Sequence, residues 1–372
     1  MKPGPDDAYF SSNAGVALPA DPHKGSLIMN TSMKVKTLAA AAAACVGMLA
    51  SAPAHALAYS VSHLKVEDFR IIISPTSATT VNNFDFFTNN TANVDALGGA
   101  FEFKNCSNAA CGPGTVANPF AVVDALQARV GAPVYVQNDF TMHSPPSGTD
   151  TFSRGDSIIR TSELTSKGAS PTALEMISET LLNTNSQGGA STNVSSQTSL
   201  SFVFTLAEPG PANLALDFKA DPDQQVVISG LAGLYSTTTS MSTNFSLTKT
   251  SGLGKGVVNW APNGAVAAGD CSSTMLGVTC TENVGGDTQN LNGGISSAQN
   301  PDTQPLSFDL ADTLTAFGIK IAGLTAGNYS VRLNATTTTT ALQQVVPEPG
   351  ALALVGLALA GLGLVSRRRK QA

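Results

Sequence analysis

Leu200-Ser201-Phe202-Val203-Phe204-Thr205-Leu206 is the stretch that decides the fold class. Its large apolar residues recur at every second position, the period of a strand with one face on a core. A turn, Glu208-Pro209-Gly210-Pro211, follows, and Leu214, Leu216 and Phe218 resume the alternation. Two alternating runs joined by a Pro/Gly turn read as antiparallel neighbours. Further strands are expected at 64–74, 81–87, 100–104, 134–136, 157–160, 226–229, 243–249, 256–260, 307–310, 316–322 and 329–334. Short strands separated by Gly/Pro turns favour a sandwich or jelly roll over a barrel. No fixed repeat is visible, which argues against a solenoid or propeller.

The segment Leu324-Thr325-Ala326-Gly327-Asn328-Tyr329-Ser330-Val331 has the form L-x-x-G-x-Y-x-V. It resembles the tyrosine corner of Greek-key sandwiches, in which the Tyr hydroxyl bonds to upstream backbone. Two segments read as short helices. In 120–130, Val122, Val123, Leu126 and Val130 fall at helical spacing and Gly131 stops the run. In 171–182, Leu174, Ile177, Leu181 and Leu182 share a helical face. The Ser/Gly/Asn/Gln stretch 186–199 reads as a linker or long loop, a place where the body would divide into two subdomains. Residues 269–305 read as a long polar loop.

Only 12% of residues are charged, while Ser, Thr, Asn and Gly are abundant. A cytosolic enzyme carries about twice that charge, so the composition points to an extracellular β protein with a polar, uncharged surface. Between Leu57 and Val346 there are 22 acidic and 12 basic residues, a net charge of −10. Nucleic-acid binding needs clustered cations. The only basic block lies at the C-terminus, so nucleic acid is not an expected partner.

Residues 1–32 have no apolar periodicity and contain Pro3, Pro5, Pro19 and Pro22. Met33 then opens a secretory signal over 33–58. Lys34 and Lys36 form its charged start, 38–50 its apolar centre, and Ala54-His55-Ala56 a small-x-small cleavage site. Cleavage after Ala58 fits nearly as well, through Ala56-Leu57-Ala58. Translation is therefore expected to start at Met33 or Met29, and 1–32 to be an unstructured extension or no part of the protein. Such a signal implies the Sec translocon and signal peptidase as partners. Cys45 lies inside the apolar centre and is followed by more apolar chain, which does not suit a lipoprotein.

The exported body, 59–346, keeps Cys106, Cys111, Cys271 and Cys280. An even count in an oxidising compartment reads as disulfides. The spacings C-x4-C and C-x8-C favour two local bridges, Cys106–Cys111 and Cys271–Cys280, over zinc, which prefers C-x2-C knuckles or His partners.

Catalytic signatures are sparse. The body has two histidines, His63 and His143, and no H-E-x-x-H, G-x-S-x-G or Walker motif. Asp221, Asp223, Asp270, Asp287 and Asp302 lie in segments read as polar loops, the oxygens a hard cation takes. None has EF-hand or nonapeptide spacing, and they read as solvated turn residues. No cofactor, metal or enzymatic activity is expected.

The tail joins three physical elements in order. Pro347-Glu348-Pro349 is an extended segment that cannot continue a helix. Residues 351–365 carry no polar side chain and would span ~22 Å as a helix, short against the ~20 residues of a full bilayer crossing. Arg367, Arg368, Arg369 and Lys370 then form a membrane-stop block on the side where positive charge is retained. This order resembles the PEP-CTERM sorting signal of Gram-negative bacteria, covering 347–372. The resemblance implies that the inner membrane holds the chain transiently, that an exosortase cleaves near the motif, and that the product reaches the cell surface or extracellular matrix. It further implies association with exopolysaccharide, biofilm or floc material. A lectin-like sandwich that recognises a glycan through 269–305, with calcium as a candidate ion, is the alternative. A hydrolase is the least favoured; Trp260 is the only Trp and there is no aromatic-rich loop cluster, which weakens the lectin-like and the hydrolase readings alike.

Overall fold

The alternating run at 200–206 is the end of a 17-residue strand. The protein is mainly β, built of two antiparallel sheets. The computed structural model describes residues 56–344, apart from the connecting segments 75–78, 96–97, 108–121, 133–135, 144–150, 162–171, 185–189, 208–209, 230–233, 265–269, 283–288, 298–305, 309 and 312, together with 356–357.

In chain order the strands are β1 (Ala56–Ser74), β2 (Thr79–Val94), β3 (Gly98–Ser107), β4 (Val122–Gly131), β5 (Phe152–Thr161), β6 (Thr172–Thr184), β7 (Ala190–Leu206) and β8 (Ala212–Ser229). They continue as β9 (Leu234–Lys249), β10 (Gly256–Trp260), β11 (Cys271–Ser273), β12 (Thr279–Glu282), β13 (Gly294–Ser297), β14 (Leu306–Phe308), β15 (Thr315–Leu324) and β16 (Gly327–Gln344). Sheet A has the order β12-β15-β8-β1-β6-β5-β4, with β14 also on β8. Sheet B has the order β11-β10-β9-β16-β7-β2-β3, with β13 also on β9. Each sheet contains strands from both before and after 186–199, and β7 begins at Ala190 inside that stretch.

The sheets face each other, and the gap between them changes character along its length. At one end it is filled by large side chains from both sheets. Phe218 of β8 packs on Trp260 of β10 and stacks on Phe317 of β15, with ring centroids 5.8 and 5.3 Å apart. Leu214, Leu216, Phe204, Leu247 and Val331 join the same cluster. Toward the other end the inward residues become small and hydroxylated. Ser178 of β6 donates from Oγ to the Thr337 carbonyl of β16 at 2.9 Å, and Ser60 and Ser62 of β1 donate to the Thr340 and Ser240 carbonyls at 3.3 Å. A serine reaching the opposite backbone means that the sheets approach closely. Gly155 of β5 shows the same: a Cβ there would lie 3.3–3.4 Å from Val194, Ser195 and Thr91 of sheet B. Beyond this seam Ala58, Leu182, Ile228, Tyr235 and Ala341 form a small cluster, which puts the start of β1 and the end of β16 at one end of the body.

The tyrosine corner takes the expected form. The Tyr329 hydroxyl donates to the Thr325 carbonyl, and the ring stacks on Phe204 at 5.1 Å. Gly327 is required here because a Cβ would lie 2.6 Å from the Ser251 carbonyl oxygen. Lys249, buried beside it, donates from Nζ to the Leu253 carbonyl at 2.7 Å and lies over the Tyr329 ring. In β1 a bulge between Val66 and Phe69, with Asp68 at φ 55°, shifts the alternation by one residue. Leu64 and Val66 before it, and Phe69, Ile71 and Ile73 after it, therefore all face the core.

Three expectations are corrected. Residues 122–131 are strand β4, not helix; Val122, Val123 and Val130 are β-branched, and pairing with β5 along the whole length outweighs a chance helical spacing. Residues 172–184 are strand β6, not helix. Met176 and Leu182 face sheet B while Ile177 and Leu181 pack on the opposite side. With both faces buried the two-residue alternation disappears, and what remains imitates a helical period. The stretch 269–305 is not one loop but supplies β11, β12 and β13.

Cys271 and Cys280 form the expected bridge, with Cα atoms 5.7 Å apart. Its role exceeds closing a loop, because β11 belongs to sheet B and β12 to sheet A. The bridge therefore joins the two sheets at one edge. Beside it, the Trp260 indole N–H of β10 donates to Glu282 of β12 at 2.7 Å. Cys106 lies in β3 opposite Phe86; Cys111, and with it the Cys106–Cys111 pairing, lies outside the described residues.

Two measurements test this packing. Ser178→Ala should cost about 1 kcal/mol through its lost hydrogen bond. Ser178→Leu, although more apolar, should cost roughly 1–3 kcal/mol by overfilling the seam. Urea unfolding of a leucine variant as stable as the parent would show that the gap has room. Replacing both Cys271 and Cys280 by Ser should cost about 2 kcal/mol and make 269–305 the first site of proteolysis, with both sheets retained by circular dichroism. Global unfolding of that variant would contradict the reading.

Candidate functional site

The chemically unusual part of the body is the outer face of sheet A, where β1, β5, β6 and β8 hold an ionisable network under the segment 136–143. Tyr59, Val61, Phe152, Ile177 and Leu181 form an apolar patch there, and Phe140 and Met142 pack onto it. Inside this patch Arg154 and Glu179 are both fully buried and paired at 2.7 Å. Removing one partner of such a pair strands a charge, and the surroundings accordingly satisfy both. Tyr59 donates its hydroxyl to Glu179 at 2.6 Å, and the His143 backbone N–H donates at 2.9 Å. Arg154 donates to the Asp139 and Thr141 carbonyls at 2.6 and 2.8 Å. The network thus ties the segment to the sheet. The His143 ring also lies 3.2 Å from Glu179.

His63, one strand away, lies between two carboxylates. Nδ1 is 3.0 Å from Asp223 of β8 and Nε2 is 3.2 Å from Glu175 of β6. Burial disfavours the imidazolium, but the hydrogen bonds and negative charge of Asp223 and Glu175 outweigh it and raise the pKa from 6.5 to about 9. An imidazolium bonded through both nitrogens has no lone pair to act as a base. Asp156, near Arg154, is pushed by burial from 3.8 up to about 7, against the hydrogen bonds it accepts from the Asn138 N–H and the Gln127 amide. The sequence names His63 and His143 without placing them; the fold brings both to this face. Arg154, Glu179 and Tyr59 had no motif, and the available signal was the charge of β5 and β6, which carry Arg154, Asp156 and Arg160, and Glu175 and Glu179, in a chain poor in charge.

Candidate cation ligands fare differently from their sequence reading. Asp221 and Asp223 are not in a loop but in β8, opposite Lys65 and His63. Asp270 accepts from the Asn263 amide at 2.7 Å. Asp287 and Asp302 lie outside the described residues. Among the described residues no group of three or more His, Cys, Asp or Glu side chains is placed to hold a metal ion.

The sorting residues form the second candidate site. β16 is hydrogen-bonded on both sides, to β7 as far as Gln343 and to β9 as far as Gln344. Two residues, Val345 and Val346, separate it from Pro347. Residues 345–370 match a family model described as the PEP-CTERM protein-sorting motif. The chain carries a PEP-CTERM sorting signal. Such a signal implies an exosortase-targeted surface protein, secreted and held by a C-terminal membrane anchor before processing. Comparison with curated proteins and with solved structures finds no match. Pro347, Glu348, Pro349 and Arg367–Lys370 lie outside the described residues; Gly356 and Leu357 are helical. Among the described residues no helix is long and apolar enough to cross a membrane. At the other terminus Ala54 lies outside the described residues, while Ala56 and Ala58 begin β1.

The ionisable network makes stability depend on pH. For His63 and Asp156 the folded pKa lies above the unfolded one. Each contribution is therefore complete below the unfolded value and lost as pH rises through the folded value. The window runs from 6.5 to about 9 for His63 and from 3.8 to about 7 for Asp156. His63 should account for up to ~3 kcal/mol between pH 6.5 and 9. Urea unfolding should show that loss in the parent and a flatter profile over the same range in His63→Gln. A parent equally stable at both pH values would refute the assignment.

Proposed function

We propose that this is a non-enzymatic surface or matrix protein whose two-sheet body is a β-sandwich delivered to the cell exterior by exosortase processing. The Sec translocon exports the chain and signal peptidase removes the N-terminal signal. The apolar segment 351–365 then enters the inner membrane as a helix, stopped by Arg367–Lys370. Exosortase cleaves near Pro347-Glu348-Pro349, and the body joins exopolysaccharide or biofilm material outside.

The observation that carries this reading is the PEP-CTERM motif starting directly after the last strand. Val345 and Val346 are the only residues between the last strand and Pro347. Burial of Ala58, and pairing of Leu57 with Asn183 and Ser229, favour signal cleavage after Ala56 over cleavage after Ala58. Cleavage after Ala56 leaves the β1 pairing of Leu57 and Ala58 whole.

Mass spectrometry of protein recovered from the exterior of an exosortase-bearing strain should find Leu57 at the N-terminus. It should also find that every residue beyond 347–350 has been lost. A tail still ending at Ala372 would overturn the processing step. A first residue of Tyr59 would overturn the choice between the two signal sites alone.

A further inference from the structure

The two outer faces of the body differ in kind. Sheet A's outer face holds Lys65, Arg154, Asp156, Glu175, Lys219 and Asp223. On sheet B, register places the even residues of β16 outward, with the odd residues of β7 and the even residues of β9 beside them. Between Asn334 and Thr340 on β16, Ser195 and Ser199 on β7, and Ser236 and Asn244 on β9, every outward side chain is Ser, Thr, Asn or Gln, and the exposed Arg332, between Ser201 and Ser246, ends the array. Asn89, Thr91 and Asn93 of β2 continue the same surface. An ordinary solvated face carries about a quarter charged residues. Within these bounds this one carries none across four adjacent strands, in a body of net charge −10.

The polar groups are ordered across strands. Ser240 and Thr338 hydroxyls lie 2.6 Å apart, Thr238 and Thr340 hydroxyls are paired likewise, and the Asn334 amide donates to Asn244 at 3.1 Å. Each hydroxyl pair uses one donor internally and keeps one donor and several lone pairs for a ligand. Rows recur at about 4.8 Å from strand to strand, the scale of a single sugar ring. Phe87 stands at an outward position of β2 opposite Ser199, at the border of the array.

We propose that this face of β2, β7, β16 and β9 binds a neutral polysaccharide laid across the strands. The charge pattern selects the ligand. An anionic polymer would find no cation inside the array, only Arg332 at its border, and would meet a negatively charged body. A protein partner would need a buried aromatic or aliphatic anchor at the centre, where the array offers only hydroxyls and amides. A neutral polyhydroxyl chain matches it donor for acceptor, and no metal ion is required. The site lies on a sheet face rather than in a loop, and β13 of 269–305 borders it by pairing with β9 from Thr237 to Ser240. The proposal rests on the reading of this chain as a matrix protein. Terminal mass spectrometry tests that reading separately, so correctly processed protein that ignores neutral polymers would defeat only the face assignment.

Affinity electrophoresis of the mature body in gels containing dextran, galactomannan or alginate provides the test. Retardation is expected in at least one neutral polymer, unchanged by EDTA, and weaker in alginate. Thr338→Glu with Ser240→Lys replaces a hydroxyl pair by a cross-strand ion pair, which keeps strand pairing while charging the centre of the array. It should weaken retention at least tenfold, whereas Arg160→Gln on sheet A should leave it unchanged; circular dichroism and melting confirm that both variants fold. No retardation in either neutral polymer would overturn the proposal. So would equal retention of the two variants, or a preference for alginate. A parent that sediments as a dimer while the double variant is monomeric would show that the face meets a second copy instead.

Discussion

The close approach of the two sheets through the hydroxyl seam is the constraint on which the body depends. Aromatic side chains at one end of the gap and serines at the other demand two different spacings between the same pair of sheets. The twist of long strands permits this only if each inward position has the right size at the right place. Ser178 donating to the Thr337 carbonyl, and Gly155 pressed against sheet B backbone, mark where the gap is narrow. Phe218 between Trp260 and Phe317 marks where it is wide. The Cys271–Cys280 bridge closes the wide end covalently, where sheets held by large apolar side chains have open edges.

The two outer faces follow from this layering. A long strand shared by one gap has one set of outward residues, and their composition is free of the core. On sheet A that freedom is used to bury a second, smaller layer, in which 136–143 is tied down by Arg154, Glu179 and Tyr59. Charges so far from water are stable there because each is paired and hydrogen-bonded. On sheet B the outward set remains a surface of hydroxyls and amides. The same fold thus gathers a buried ionic network on one side and an array of uncharged polar groups, ended by Arg332, on the other.

Processing is linked to the fold through β16. A central strand with partners on both sides cannot release its end without breaking two ladders, and the sorting motif begins directly after such a strand. The start of β1 lies at the same end of the body. The first and last strands therefore begin and end near one another, and the disulfide-bridged edge lies toward the opposite end.

By itself the sequence determined the β class, the strands with one exposed face, the tyrosine corner, the Cys271–Cys280 pairing and the sorting tail. Each is a local signal: alternation in 200–206, Gly327 before Tyr329, two cysteines nine residues apart, and a Pro-Glu-Pro before an apolar run and an arginine block. Only the tertiary structure decided the rest. β4 and β6 read as helices because a strand pairing across its length, or buried on both faces, need not keep a two-residue period. His63, Glu175 and Asp223 are far apart in the chain, and nothing local predicts that β1, β6 and β8 are neighbours. The hydroxyl array was visible only as a composition rich in Ser and Thr. Its register is set by hydrogen bonds between strands distant in the chain, Ser240 and Thr338 being 98 residues apart, and a one-residue slip would turn every one of those hydroxyls inward.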